Sequence, residues 1–283
     1  MPMDVIRFHD PAKYAALATP LLMRHEAENC FFLGALAEPR GLADALLCVV
    51  RDDRNEPVAA ATMTPGRHLV ITRAPAGAVP ALARFLHRET VSLPGVGGVR
   101  EAAAAFAREW AALTGTEGNV HVEMGLHRLS NVVPPPSAPG RMRVADLRDI
   151  DLVARWITDF RIEIGEGRLG DGRAMAVQRV PQRAIFLWDD DHGEPIAMAG
   201  FSGPTPNGVR VNIVYTLPAH RGRGYASNLV AALSQHLLDS GKKFCFLYTD
   251  LANPTSNKIY RQVGYEPIGE SVVVLFDGPA APQ

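Results

Sequence analysis

A glycine-rich basic loop between a strand pattern and a helix pattern is the feature that most constrains this chain. A β-branched run at 209–216 leads into His-Arg-Gly-Arg-Gly-Tyr-Ala at 220–226, and helical periodicity then continues to residue 240. A helix that begins directly after such a loop offers free backbone N–H groups and the positive end of its dipole to an anion. Glycine lets the backbone approach that anion because it carries no Cβ.

The loop therefore predicts an anion cradle, although a run of this kind is by itself more often a solvated turn. Charge-assisted contacts are expected from Arg221 and Arg223. The backbone N–H groups predicted to face the anion are those of Gly222, Arg223, Gly224, Tyr225, Ala226 and Ser227.

A second motif, Asn-Pro-Thr-Ser-Asn-Lys-Ile-Tyr-Arg-Gln-Val-Gly-Tyr, begins at Asn253. Asparagine is a preferred helix N-cap, the proline after it suits the first helical position, and Gly264 predicts the helix end. Asn257 and Tyr260 share one face of this helix because they are three residues apart.

With both motifs in this order, the chain resembles the GNAT superfamily of acyl-CoA-dependent N-acyltransferases. The family's diphosphate loop, Arg/Gln-x-x-Gly-x-Gly/Ala, is matched by Arg221, Gly224 and Ala226. The resemblance covers about residues 141–276, and the wording of the second motif is similar to that of two-half bacterial acetyltransferases related to the glycine N-acyltransferase-like group. Its matched positions are Asn253, Asn257, Tyr260, Gly264 and Tyr265.

The resemblance implies that acetyl-CoA is the cosubstrate, with its diphosphate on the loop. It implies that Asn253 and Asn257 bind the cofactor arm and that Tyr260 protonates the departing thiolate. The alternative for Tyr260 is a half-buried helix aromatic. The strand backbone that would pair with the pantetheine arm is that of Val214, Tyr215 and Thr216, which also suit an ordinary core strand.

The sequence does not identify the general base. Tyr248 stands where some members of the family carry a glutamate on the fifth strand. The candidates are a water chain, a water oriented by Asn212, or one of the carboxylates of Asp250, Glu163 and Glu166, each of which also suits a surface charge or a cap.

A proline-rich stretch predicts the domain boundaries: a first domain at 1–130, a linker at 131–140 and a catalytic domain at 141–283. The two halves resemble each other. Residues 47–61 align with 185–199, each an apolar strand, a polar turn and a second strand opened by Glu-Pro. This alignment favours a duplication.

The predicted fold class is α/β, with a mixed sheet and helices on both of its faces. We expect tandem GNAT-like folds, in which the C-terminal half is a complete acyl-CoA-binding domain. In the N-terminal half, a strand at 69–72 is followed by 73–80, which has no repeated glycine at phosphate spacing. That half is therefore expected to be degenerate, which means that it keeps the fold and has lost the cofactor site.

Composition narrows the choice of function. The net charge of −1 provides no field for nucleic acid or membrane, and no apolar run is long enough for a bilayer. The three cysteines and nine histidines show no metal-ligand spacing, so no metal is expected. No signal pattern is found and the cysteines suit core thiols, so a cytoplasmic protein is expected.

The resemblance implies acetyl transfer to a primary amine by direct attack in a ternary complex. A small amine or an amino acid is preferred over a protein as acceptor, through the resemblance. The alternative is a non-catalytic acyl-CoA-binding regulatory module. The oligomeric state is left open.

Overall fold

The computed structural model describes residues 3–37, 39–166 and 171–277, which divide into two compact units. The first unit comprises 3–126, 249–252 and 268–277, and the second comprises 127–248 and 253–267. Each unit contains strands and helices, so the predicted mixed α/β class is confirmed. The last strand of the chain contributes to the first unit, which the sequence did not indicate.

The first unit is built on strands in the order β1-β2-β3-β4-β5-β12. Neighbouring strands are antiparallel except for β4 and β5, which are parallel. The bounds are β1 Asp4–Phe8, β2 Leu46–Arg51, β3 Pro57–Met63, β4 Leu69–Ile71, β5 Gly95–Val99 and β12 Glu266–Phe276, with helices α1 Pro11–Met23, α2 Cys30–Ala37, α3 Ala78–Arg88 and α4 Arg100–Thr114. Strand β6, Gly118–Leu129, begins in this unit.

The second unit has the strand order β11-β10-β9-β8-β7, in which only β10 and β11 are parallel. Helices α5 and α6 cover one apolar face, and α7 and α8 cover the other. The bounds are β7 Arg141–Val144, β8 Ile185–Asp189, β9 Pro195–Ser202, β10 Gly208–Thr216 and β11 Phe244–Asp250, with α5 Ile150–Glu163, α6 Arg173–Arg179, α7 Tyr225–Asp239 and α8 Pro254–Val263.

The two hairpins that align in sequence have the same turn. Asp52 Oδ1 accepts hydrogen bonds from the backbone N–H groups two and four residues further on, at 3.0 and 2.9 Å. Asp190 Oδ1 accepts the same two bonds at 2.9 and 3.0 Å. The corresponding residues Asn55 and Gly193 both have positive φ, 67° and 84°. This agreement at the level of single atoms supports duplication of one unit.

One arginine joins the first strands of the second unit to its first helix. Arg143 on β7 donates from Nε to Asp189 at 2.7 Å and from both terminal nitrogens to Asp149, at 2.6 and 2.9 Å. Asp149 also accepts from the backbone N–H of Asp146 at 2.8 Å, in a capping box that begins the helical segment. One buried carboxylate, that of Asp189, and one partly buried carboxylate, that of Asp149, therefore depend on one guanidinium.

Replacing this guanidinium should destabilise the second unit. Burial raises the pKa of Asp149, but hydrogen bonds from Arg143 and from the backbone of Asp146 outweigh it, so that this pKa lies below its usual range. We expect Arg143→Met to lower the free energy of unfolding by about 3 kcal/mol at pH 7, since it leaves two carboxylates unpaired. This lies at the low end for a buried pair because the arginine side chain is 32% exposed.

The pH dependence gives a further check. A depressed carboxyl pKa stabilises the folded state at pH values above the unfolded pKa, and that contribution is lost as the pH falls. The difference between wild type and Arg143→Met in urea unfolding should therefore shrink below about pH 4. Arg148→Met, which removes an exposed partner of Asp146, is the control and should unfold like the wild type. An unchanged difference at low pH would contradict the assignment.

Candidate functional site

Strands β10 and β11 are paired over only part of their length. Their parallel ladder has three residue pairs and ends where Arg210 is opposite Phe246. Strand β10 continues to Thr216, and no further pair joins these two fully described strands. The backbone of β10 beyond Arg210 is therefore free on that edge to pair with an extended ligand.

A β-bulge interrupts β10 shortly after this point. Its register against β9 shifts between Asn212 and Tyr215, and Ile213 has a φ of 52°, in the left-handed region. A β-branched residue in this conformation costs about 1–3 kcal/mol and is uncommon outside functional sites. The bulge redirects the backbone N–H and C=O groups that follow it. The sequence carries no signal for it, because isoleucine normally favours regular strand.

The three predicted pantetheine-pairing residues lie at and after the bulge. Tyr215 packs in the core beneath α5, and the guanidinium of Arg221 lies 5.6 Å from the centroid of its ring. The carbonyl of Thr216 accepts a hydrogen bond from Arg221 Nε at 2.9 Å. Val214 is partly buried against the opposite core. Their pairing with a pantetheine arm stays a prediction.

The predicted anion cradle forms the start of α7. Gly222 and Gly224 have φ values of 75° and 83°, which favour glycine. Gly224 is the N-cap residue and no side chain caps the helix, whose first backbone bond runs from Asn228 N to the Gly224 carbonyl at 3.0 Å. The N–H groups of residues 225–227 therefore point out of the helix without a side-chain partner.

There is room at Gly224 for a ligand to approach. A Cβ placed there would lie 3.7 Å from Asn228 Nδ2 and 3.8 Å from Ala138 Cβ. The open surface and the helix dipole suit a diphosphate, so the residues present fit the predicted cosubstrate.

The two arginines of the loop differ. Arg221 donates to Glu163 Oε1 at 2.6 Å as well as to the Thr216 carbonyl, so it links the loop to β10 and α5. Arg223 is exposed and forms no hydrogen bond or ion pair with the residues that the structure describes. Arg223 is thus the arginine that remains available to a phosphate.

The proline-rich segment packs beside this loop within the second unit. The Pro136 carbonyl accepts a hydrogen bond from Asn228 Nδ2 at 2.9 Å, and the Pro139 carbonyl accepts one from Trp188 Nε1 at 2.8 Å. The backbone N–H of Val133 donates to the Val263 carbonyl at 2.8 Å. Residues 133–139 therefore contact both the start of α7 and the end of α8, which sequence reasoning missed.

Helix α8 begins and ends as the sequence predicted. Asn253 Oδ1 accepts from Ser256 N at 3.1 Å, and Gly264 follows the helix with a φ of 105°. Asn257 Nδ2 donates to the Asn253 carbonyl at 2.8 Å. Both asparagines thus stabilise the helix start, and their contact with a cofactor arm stays a prediction.

Tyr260 is buried on α8, and its ring packs edge-on against Tyr265 with 6.0 Å between the centroids. Its hydroxyl forms no hydrogen bond with the described residues. Burial raises the pKa of Tyr260 to about 12. The phenol is therefore protonated at neutral pH and can donate a proton but not accept one.

The candidate bases differ in their surroundings. Glu163 is ion-paired with Arg221, and Glu166 is exposed. Asp250 accepts a hydrogen bond from the backbone N–H two residues further on, at 2.8 Å. Asn212 is bonded to side chains of β9 and α6.

The corresponding strand pair of the first unit is closed. β4 and β5 pair up to Ile71 opposite Gly98, and a Cβ on Gly98 would lie 2.1 Å from the Ile71 carbonyl oxygen. Arg73, which follows β4, donates two hydrogen bonds to Glu28, at 3.3 and 2.9 Å. The first unit therefore has neither a divergent strand pair nor a glycine loop at this position.

No group of three or more potential metal ligands occurs within 3–37, 39–166 and 171–277. In the same ranges, no helix is both long and apolar enough to cross a bilayer.

Comparisons with known proteins agree with this geometry. Residues 151–265 match the family model described as the Acetyltransferase (GNAT) family. Among curated protein sequences, none matches the chain. The segment 151–265 is thus a domain of the GNAT family of acetyltransferases, whose members carry out acyl transfer.

The whole chain also resembles solved structures. A GCN5-related N-acetyltransferase from Sphaerobacter thermophilus is 16% identical with a TM-score of 0.64, over 96% of this chain and 94% of that one. A GNAT-family acetyltransferase from Colwellia psychrerythraea is 12% identical with a TM-score of 0.58, over 97% and 100%. A tandem GNAT protein from the clavulanic acid biosynthesis pathway is 15% identical with a TM-score of 0.56, over 99% and 100%. At these identities the likeness shows the fold, and the predicted tandem GNAT-like architecture is confirmed.

The loop geometry leads to a test of the cradle. Gly224→Glu places a carboxylate at the uncapped helix start, and we expect it to raise the Kd for acetyl-CoA by about a hundredfold or more. Gly241→Glu is the matched control, because Gly241 follows the other end of α7 and has a φ of 96° with open space around it. Calorimetry should find near-normal affinity in the control. Equal affinity in both folded variants would refute the cradle.

Proposed function

We propose that this chain is an N-acetyltransferase that moves an acetyl group from acetyl-CoA to the primary amine of a small molecule or an amino acid. The observation that carries this proposal is the divergence of β10 from β11 next to the uncapped start of α7. An extended arm with a diphosphate at one end and a thioester at the other suits both features.

Different residues of the second unit would bind different parts of acetyl-CoA. The N–H groups of 225–227 and the guanidinium of Arg223 would hold the diphosphate. The free backbone edge at Val214–Thr216 would pair with the pantetheine arm. N–H groups redirected by the bulge at Ile213 would polarise the thioester carbonyl, since such groups act strongly where water is excluded.

Acetyl-CoA supplies an activated acyl group. The acceptor nitrogen forms the new C–N bond, the C–S bond breaks, and Tyr260 gives its proton to the departing sulfur. The Tyr260 phenol is protonated at neutral pH, as this role requires, and burial raises its pKa further. The acceptor's own proton leaves to water, and the Tyr260 phenolate regains a proton from water to complete the cycle.

A non-catalytic acyl-CoA-binding module is the second candidate. The observation that favours it is the ion pair of Glu163, one of the candidate bases, with Arg221. Release of CoA in the presence of primary amines supports the enzyme. Tight binding of acetyl-CoA, with no release of CoA in the presence of any of the amines, supports the binding module.

Tyr260→Phe tests the proton donor. We expect turnover to fall by about ten- to a thousandfold with little change in the Kd for acetyl-CoA, the range for loss of a general acid. Tyr265→Phe is the control, since its hydroxyl contacts Ser234 Oγ at 2.8 Å and not the proposed site. That control should lose about 1 kcal/mol of stability and keep its turnover. Normal turnover of Tyr260→Phe would remove Tyr260 from the mechanism.

The closed strand pair of the first unit predicts one acetyl-CoA per chain. Calorimetric titration of the full chain should give a stoichiometry of about one, because among the described residues only the second unit combines divergent strands with a glycine loop. In the same titration, Gly224→Glu should show no binding of acetyl-CoA. A stoichiometry of about two in the full chain, with one site remaining in Gly224→Glu, would reveal a second site in the first unit.

A further inference from the structure

We propose that Arg210 binds a carboxylate of the acceptor, so that the substrates are amines that also carry a carboxylate group. This inference rests on the proposed function and names the acceptor class for the same site. It makes Arg210 a specificity-determining residue, which neither the sequence motifs nor the mechanism above uses.

Arg210 lies at the vertex of the divergent strands. It is the last residue of β10 with a partner on β11, and it is also opposite Ser202 on β9. The bulge begins two positions later, at Asn212. A group held by Arg210 is therefore close to the redirected backbone at which the thioester carbonyl would be polarised.

The side chain of Arg210 faces away from α7. Its neighbours along the strand, Val209 and Val211, belong to the core that α7 covers. Strand alternation places Arg210 and Asn212 on the other face, where Arg179 of α6 donates to Asn212 Oδ1 at 3.3 Å. The diphosphate cradle is at the start of α7, so an anion at Arg210 must belong to a second substrate.

Arg210 has a charge without a counter-charge. One terminal nitrogen donates to Ser202 Oγ at 3.3 Å, and its Nε is buried without an acceptor. Arg51 also has a buried Nε that lacks an acceptor, but Arg51 is ion-paired with Asp4. Arg210 forms no ion pair with any described residue. Such an unpaired buried donor is costly unless a ligand satisfies it.

The hydroxyl beside Arg210 completes the arrangement. Ser202 Oγ accepts from Arg210 at 3.3 Å and from Asn212 Nδ2 at 2.5 Å. With two donors already directed at its oxygen, the hydroxyl is left to donate its own proton. A guanidinium and an O–H donor side by side suit the two oxygens of a carboxylate.

The test compares acceptors that differ only in this group. Amino acids and their carboxamides, such as glycine and glycinamide, are assayed individually with acetyl-CoA. We expect kcat/KM of the wild type to favour the best amino acid over its carboxamide by at least tenfold. Arg210→Gln should lose about tenfold or more on amino acids and little on carboxamides, while Arg210→Lys should keep part of the preference. Arg141→Gln, at an exposed arginine of β7, is the control.

Equal use of amino acids and carboxamides by the wild type, or an equal loss on both in Arg210→Gln, would overturn the proposal. Calorimetry separates this failure from that of the proposed function. Absent binding of acetyl-CoA refutes the acetyltransferase, whereas amino acid binding that is the same in wild type and Arg210→Gln refutes only the carboxylate site. Arg210→Gln and Arg210→Lys should both melt near the wild-type temperature, because Arg210 has no ion pair to lose.

Discussion

The early end of the ladder between β10 and β11 is the constraint on which the second unit depends. Parallel strands normally pair along their common length, and here the pairing stops at Arg210. The bulge at Ile213 keeps β10 on β9 while changing the direction of its backbone. Because β10 also leads into the glycine loop, this one interruption positions the open strand edge, the start of α7 and the vertex at Arg210 together.

The two units show how small a change separates a closed strand pair from an open one. They share the hairpin whose aspartate, Asp52 or Asp190, accepts the same two backbone bonds. In the first unit, Gly98 allows the two parallel strands to approach so closely that a side chain would collide with the Ile71 carbonyl. In the second unit, the last pair of the parallel ladder is Arg210 opposite Phe246, and β10 continues to Thr216 without pairing to β11.

Much of this fold could be predicted from the sequence because local chemistry specifies it. Asn253 with its following proline, and Gly264 at the other end, determine α8. A continuous apolar run, a polar turn and a Glu-Pro pair determine both hairpins. The bulge could not be predicted, since Ile213 is a residue type that favours regular strand. The hydrogen bonds of the proline-rich segment and the pairing of β12 with β5 depend on residues far apart in the chain, for which periodicity has no signal. The ion pair of Arg221 with Glu163 also joins residues that are far apart in the chain, so it could not be predicted either.

The position of β12 also determines the order in which the chain can fold during synthesis. Ser271–Leu275 pair with Gly95–Val99, and the whole second unit lies between these strands in the sequence. A ribosome has therefore delivered every residue of the second unit before the sheet of the first unit receives its last strand. The N-terminal unit, made first, is completed last, and until then the edge of β5 is an exposed template to which another nascent chain can add.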